Sequence, residues 1–215
     1  MKEIIEEMLA GTRPEKDIRA ASRGKHLGDL PDSLRPDLMT LRPAAVLVPL
    51  VDHPSGLTVL LTRRTDTLPE HAGQIAFPGG REEPVDSGPL DCALRETEEE
   101  IGLPRHFVRP VGYLPQYITI TGYSVIPVVG FVQPGFTPRP DPTEVAEIFE
   151  VPLDFILDAA NHRRESRRYR DTEVSYYIID WRQSGRDYRI WGATAAMLVD
   201  FAEMISGHRA RASSL

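Results

Sequence analysis

The sequence predicts an α/β protein, with helices layered on a sheet of short strands. Short apolar, β-branched runs recur along the chain, as in AAVLVPLV (44–51) and LTVLLTRR (57–64). They alternate with two longer segments of helical periodicity, over 89–101 and 192–206. At 215 residues and 41% hydrophobic content, the chain is long enough to bury one substantial core.

The elements follow in order. Residues 2–10 read as a short amphipathic helix. Gly11 to about Pro36 is polar, with prolines at 14, 31 and 36, and reads as a linker or loosely docked arm. Residues 1–36 are thus expected to precede a compact domain of 37–207, with 208–215 as a tail. AAVLVPLV is a buried strand. DHPSG (52–56) is turn chemistry and LTVLLTRR a second strand, giving a hairpin with a loop of roughly five residues. Residues 65–89 are rich in Gly, Pro and charge and form a long connection, of a kind that tends to be functional. A helix follows over 89–101, favoured by Gly88-Pro89 at its start and Gly102 at its end. VRPVGYLPQYIT and YSVIPVVGFV read as strands, and TEVAEIFEVPLDFIL turns from strand to helix near Val151-Pro152. VSYYIIDW and DYRIWG form a second hairpin, and 192–206 is a closing helix.

The net charge of −7 argues against a general nucleic-acid or membrane-surface binder, which needs positive charge. It leaves room for small phosphorylated ligands, which need only a local basic patch. The single cysteine, Cys92, has no intramolecular partner, which points to a reducing compartment. The amino terminus lacks the basic start and apolar run of a signal peptide. The longest apolar run, 44–51, is too short to span a bilayer. The expected location is the cytoplasm.

Chemistry concentrates in GREEPVDSGPLDCALRETEEEIGL (80–103). On a helix turning about 100° per residue, Leu90, Ala93, Leu94, Thr97 and Ile101 share one stripe, the core face. Glu96, Glu99 and Glu100 share another sector, while Glu98 falls elsewhere and is solvated. Neighbouring like charges on a helix repel by a few tenths of a kcal/mol per pair. A hard cation such as Mg²⁺ or Mn²⁺ removes that penalty and bridges to substrate phosphates. By itself an ExxEE pattern reads as a bare acidic face. The preceding FPGG (77–80) shifts the balance, because a loop of Pro and Gly lets the backbone approach a phosphate closely. Arg95 reads either as a surface cation or as a fork that ties down a carboxylate or the loop.

These residues resemble the Nudix box, G-x5-E-x7-R-E-U-x-E-E-x-G-U with U apolar. Gly80, Arg95, Glu96, Glu99, Glu100, Gly102 and Leu103 match. Asp86 replaces the first Glu, one extra residue lies between it and Arg95, and Thr97 takes an apolar place. Upstream, LLTRRTDTLPEHAGQIAFPGG (60–80) resembles the signature of the coenzyme A pyrophosphatase branch, with Pro69 where that signature has an arginine. EVAEIFEVPL (144–153) and IWGATA (190–195) are also similar to that branch. The resemblance covers about residues 38–206. It implies a Nudix fold, an α/β/α sandwich with a mixed sheet. It implies hydrolysis of a nucleoside diphosphate linked to another moiety, with Mg²⁺ or Mn²⁺ as cofactor. Glu96, Glu99 and Glu100 would hold the metal, with the Gly80 carbonyl. Glu99 and Arg95 would be catalytic, Arg95 by orienting the helix, and Glu144 or Glu147 would assist as base or ligand. The signature and loop residues Arg64, Phe77, Gly79 and Arg81 would bind substrate.

The partner implied is a small-molecule nucleotide, without nucleic acid or membrane, and a homodimer is an assembly the family allows. Coenzyme A or its derivatives would yield 3′,5′-ADP and 4′-phosphopantetheine. Pro69 keeps a second substrate open, such as ADP-ribose or NADH, and a non-catalytic nucleotide-sensing domain is a third reading. NHRRESRRYR (161–170), the most basic segment, reads as a solvated loop or helix face, or else as a phosphate cradle. His71, Cys92, Trp181 and Trp191 read as structural; for the tryptophans, adenine stacking on an aromatic ring is the alternative, and nothing in the sequence selects which ring.

Overall fold

A computed structural model describes residues 1–15, 34–68, 71–169 and 171–212. The sequence-based reading of 16–33 as linker, and the departure at Pro69, lie outside the described residues.

The central strand is β1 (Arg42–His53). Its side chains alternate between two cores. Ala44, Val48 and Leu50 face one, and Ala45, Leu47 and Val51 face the other. A strand covered on both faces reads as a continuous apolar run, as this one does. β1 pairs antiparallel with β2 (Gly56–Arg64) and parallel with the strand Tyr123–Val132. The sheet is therefore mixed. Pairing persists to His53 and Gly56, so the hairpin turn is shorter than the predicted loop: only Pro54 and Ser55 lie between the strands.

The predicted long connection is interrupted by two short strands, β3 (Ile75–Ala76) on β2 and β4 (Gly79–Arg81) on β1. Next come α2 (Pro89–Ile101), β5 (Val108–Tyr113), β6 (Tyr117–Ile118), β7 (Tyr123–Val132) and β8 (Val145–Pro152). β8 pairs with β2 and leads into a short helix, α3 (Leu153–Leu157), at the predicted transition. One face of the sheet is covered by α2. The other is covered by α1 (Lys2–Leu9), α3 and the closing helix α4 (Gly192–Ala212). The fold is an α/β/α sandwich.

α1 is bound tightly to this sandwich. Ile5 and Leu9 are fully buried, and Thr12 Oγ1 accepts a hydrogen bond from the Tyr113 N–H at 2.9 Å. α4 runs to Ala212, past the predicted end at 206, and its later turns lie against α1, where His208 Nε2 is 3.6 Å from Glu7.

A second sheet holds β9 (Arg163–Tyr169), β10 (Thr172–Gln183) and β11 (Arg186–Trp191), with β10 in the centre. The β10–β11 hairpin is as predicted. The basic segment corrects the expectation of a loop or helix face, because it is strand β9. Its register, Arg167 opposite Val174 and Arg164 opposite Tyr177, sets guanidinium groups beside aromatic rings, and Arg164 lies 5.0 Å from the Tyr177 ring. Among the described residues, no helix is long and apolar enough to cross a membrane.

Candidate active site

The site forms where β4 and α2 meet β1. Helix α2 buries Cys92, Ala93, Leu94, Thr97 and Ile101, the predicted stripe with Cys92 added, while Leu90 is half-buried. The Thr97 hydroxyl donates to the Ala93 carbonyl at 2.6 Å, so its polar atom is satisfied within the helix and the residue serves at an apolar position. Gly102, left-handed at φ 66°, ends the helix, its N–H donating to the Glu98 carbonyl at 3.0 Å. Glu98 is exposed, within 3.6 Å of Arg105.

Contact with backbone requires the first glycine of the loop, and the second leaves room for a carboxylate. A Cβ on Gly79 would strike the Ala45 backbone, and one on Gly80 would strike the Glu96 carboxylate. Gly79 also holds φ at 149°, outside the range of other residues. With no side chains in the way, the loop lies directly over the acids. The Gly79 N–H donates to Glu100 Oε2 at 3.2 Å, and the Gly80 carbonyl accepts from the Cys92 thiol at 3.6 Å.

Arg95 is a fork, as one sequence reading has it, and its main partner is a residue that reading missed. Nε and Nη2 donate to the two oxygens of Asp86 at 2.8 and 2.9 Å, and Nη1 donates to Glu96 at 2.8 Å and Glu99 at 3.2 Å. Nη2 also reaches the Arg81 carbonyl at 3.2 Å. The Asp86 carboxyl is held down to about 2, chiefly by the Arg95 hydrogen bonds. Asp86 stands at the box's first acidic position, so the signal for this pair was present in the spacing.

Glu100 is nearly buried, and burial pushes its carboxyl up to about 8. The Gly79 N–H and Arg64 oppose that shift, and Glu144 and Glu96 reinforce it. Glu96 is raised as well, by burial first, with Arg95 opposing and Glu99 and Glu144 adding repulsion. Glu99 is the open one, its side chain 61% exposed. Among the described residues, no three acidic, thiol or imidazole side chains already converge on one metal-sized point. The donor chemistry nevertheless suits a hard divalent cation: carboxylate oxygens crowded under a loop, with too little positive charge between them.

Glu144 and Glu147 separate clearly. Glu144 lies near enough to Glu96 and Glu100 to repel both. Glu147 accepts from Arg186 at 2.6 Å and from the Tyr188 hydroxyl at 2.8 Å, which ties β8 to β11.

A cavity of about 390 Å³ opens at Arg64 and Gly79, the two residues that reach the Glu100 carboxylate. Arg64, Phe77 and Gly79 line it; Arg81 is not among its described lining residues. Phe77 is otherwise a core residue, 3% exposed. Arg64 Nη1 is 3.5 Å from Glu100 Oε1, while its Nε is buried with no hydrogen-bond partner among the described residues. Arg63 instead lies 3.9 Å from Glu147. His71 lines the cavity and its Nδ1 is 3.0 Å from Gln74 Oε1. Burial pushes the Cys92 thiol up to about 12, which keeps it neutral and inert, as expected. Trp181 packs edge-on against Phe155 at 4.7 Å. The far wall comes from β9–β11 and includes Arg167, Tyr176 and Trp191. Sequence reading offered the basic segment as a phosphate cradle but did not join this wall to Arg64 and Gly79.

The sequence matches the family described as NUDIX domain over residues 40–172. The protein named "Uncharacterized Nudix hydrolase NudL" of Pectobacterium atrosepticum is 40% identical over 182 residues, 82% of this chain and 89% of that protein. Its namesake of Photorhabdus laumondii is 42% identical over 166 residues, 76% of this chain and 85% of that one. "Nudix hydrolase 15, mitochondrial" of Arabidopsis thaliana is 37% identical over 177 residues, 81% of this chain and 62% of that protein. With a family match over more than half its length and relatives this similar, the chain belongs to the Nudix hydrolase family.

Proposed function

We propose that this chain hydrolyses the pyrophosphate bond of coenzyme A or its derivatives, giving 3′,5′-ADP and 4′-phosphopantetheine in a reducing, cytoplasmic setting. One observation carries the reading. The upstream signature, through Arg64, Phe77 and Gly79, lines one cavity, and two of these residues, Arg64 and Gly79, also reach Glu100 of the acidic helix. Residues that would select the substrate thus adjoin those that would act on its diphosphate.

Glu96, Glu99 and Glu100, with the Gly80 carbonyl, would hold Mg²⁺ or Mn²⁺. When bound, such an ion neutralises diphosphate charge and acidifies a bound water. The chain's own groups do the rest. Arg95 fixes α2 to the loop through Asp86 and Arg81. Arg64 offers its unpaired, buried Nε to a phosphate oxygen, which satisfies a donor that otherwise has no acceptor. Water then attacks one phosphorus as the bridging P–O bond breaks and the other phosphate leaves, and Glu99, the most open acid of the helix, or Glu144, near enough to repel Glu96 and Glu100, accepts the water's proton. Glu147 is already engaged by Arg186 and Tyr188, and we assign it to structure.

The test is product chromatography with Mg²⁺ or Mn²⁺ and, in parallel, coenzyme A, ADP-ribose and NADH, with Glu100→Gln as control. Release of 3′,5′-ADP from coenzyme A, absent in the control, supports the proposal. Cleavage of the other substrates alone moves the specificity elsewhere and makes Pro69 its marker. Nucleotide binding without turnover would make the domain a sensor.

A further inference from the structure

β9 carries four arginines, of which Arg164 and Arg167 line the cavity; Arg164 donates to the Ser175 hydroxyl at 3.1 Å and lies 5.0 Å from the Tyr177 ring. Arg163 is held by Asp180 and Arg168 by Asp171, at 3.0 Å for the second pair. Arg167 instead lies over aromatic rings, 4.8 Å from the Trp191 centroid and 5.7 Å from that of Tyr176. Those two rings meet edge-on at 5.8 Å. All three residues line the cavity that also contains Arg64 and Gly79. In a chain with only 7% aromatic residues and a net charge of −7, this is a local concentration of rings and positive charge.

The chemistry of that wall is specific. A guanidinium lying over a ring uses its π face and keeps its in-plane N–H donors for an oxyanion. Indole and phenol rings present surfaces on which a planar base stacks. Only a ligand with both a flat heteroaromatic ring and a phosphate uses both features.

We propose that Arg167, Tyr176 and Trp191 form the subsite for the nucleotide half of the substrate, a purine nucleotide whose 3′-phosphomonoester is the group that Arg167 recognises. The rings take the base and Arg167 takes the phosphate. This rests on the substrate reading above and deepens it: the second sheet, through β9, β10 and β11, supplies the selectivity while β4 and α2 supply the chemistry.

The chain has two tryptophans, so Trp181→Phe leaves Trp191 as the only indole reporter. Metal-free titrations of this variant with 3′,5′-ADP and with 5′-AMP, read by fluorescence, test the subsite directly. 3′,5′-ADP should quench Trp191. Adding Arg167→Ala should weaken 3′,5′-ADP about 10-fold or more while 5′-AMP changes less than about twofold, the loss of one charge-assisted phosphate contact. Equal weakening of both ligands overturns the subsite. So does an unresponsive Trp191 in protein that still hydrolyses coenzyme A, and the substrate reading then stands alone. Quenching with phosphate discrimination, but no hydrolysis of coenzyme A, supports the subsite and overturns only the substrate reading.

Discussion

Replacing Asp86 by Asn keeps the shape of the anchor and removes its charge. The Asp86 side chain is 1% exposed and accepts both arms of the Arg95 fork, at 2.8 and 2.9 Å. Its carboxyl drops from an ordinary 3.8 to about 2, with the Arg95 hydrogen bonds as the largest cause and burial opposing. A shift of that size is worth about 2.5 kcal/mol of folding stability. The sign follows from the depressed folded value. The contribution is complete above the ordinary carboxylate range, falls to roughly half near pH 3 and vanishes below about pH 2. With a urea slope near ~3 kcal/mol per molar for a chain of this length, the Asp86→Asn midpoint at pH 7 should fall by about 0.8 M. At pH 3 the gap should be about half as large. Arg95 keeps Glu96 and Glu99 as partners, so the helix itself should persist. A midpoint unchanged at pH 7, or a deficit as large at pH 3 as at pH 7, refutes the idea that this ion pair fastens α2 to the loop.

Other perturbations reach other parts of the site. Glu100→Gln should lower turnover by more than about 100-fold, beyond the usual loss for an outer-shell metal neighbour, with an unchanged far-ultraviolet circular dichroism spectrum; a folded variant near wild-type rate removes Glu100 from the metal set. Gly80→Ala drives a methyl group into the Glu96 carboxylate, and calorimetric titration should show Mn²⁺ affinity falling at least about tenfold. Leu9→Ala empties a fully buried position and should cost about 2–5 kcal/mol in chemical denaturation, while the hydrolysis rate of the folded fraction is retained; a negligible cost would mean that α1 only rests on the sandwich.

What the sequence made legible follows from length and periodicity. α2 was readable because its apolar stripe runs the whole helix and Pro89 and Gly102 bound it. β1 and β2 were readable because long apolar runs leave few alternatives. β3 and β4 span two and three residues, too short for any period to register, and the reading merged them with their loop. β9 was lost for a different reason. RRESRRY lacks alternating apolar residues, because an exposed edge strand is held by its pairing with β10 and by guanidinium contacts across it. No local propensity reports such long-range support. The acid triad of α2 was visible at helical spacing. The Asp86–Arg95 pair joins a loop to a helix and has no period, so only the spacing of the family box hinted at it. The reach of β9–β11 over the cavity is a fact of tertiary packing and left no mark on the chain.

The charges around α2 do not balance within the protein. Asp86, Glu96, Glu99, Glu100 and Glu144 gather about Arg64 and Arg95. Arg95 is shared among Asp86, Glu96 and Glu99, so its charge is divided over three acids and none of these hydrogen bonds goes to Glu100. Arg64 stands 3.5 Å from Glu100, and its buried Nε has no hydrogen-bond partner among the described residues. Were the acids meant only to support the fold, more arginines, or apolar residues in their place, would serve better, since partly paired buried charge is destabilising. The arrangement makes sense when two further charges complete it: a divalent cation among the carboxylates and a phosphate against Arg64. Each makes the other more favourable, because the cation offsets the repulsion that the phosphate would meet from Glu96 and Glu100. On the proposed reading, a metal and a phosphorylated ligand would bind here together, with the uncompensated acids Glu96 and Glu100 holding the metal.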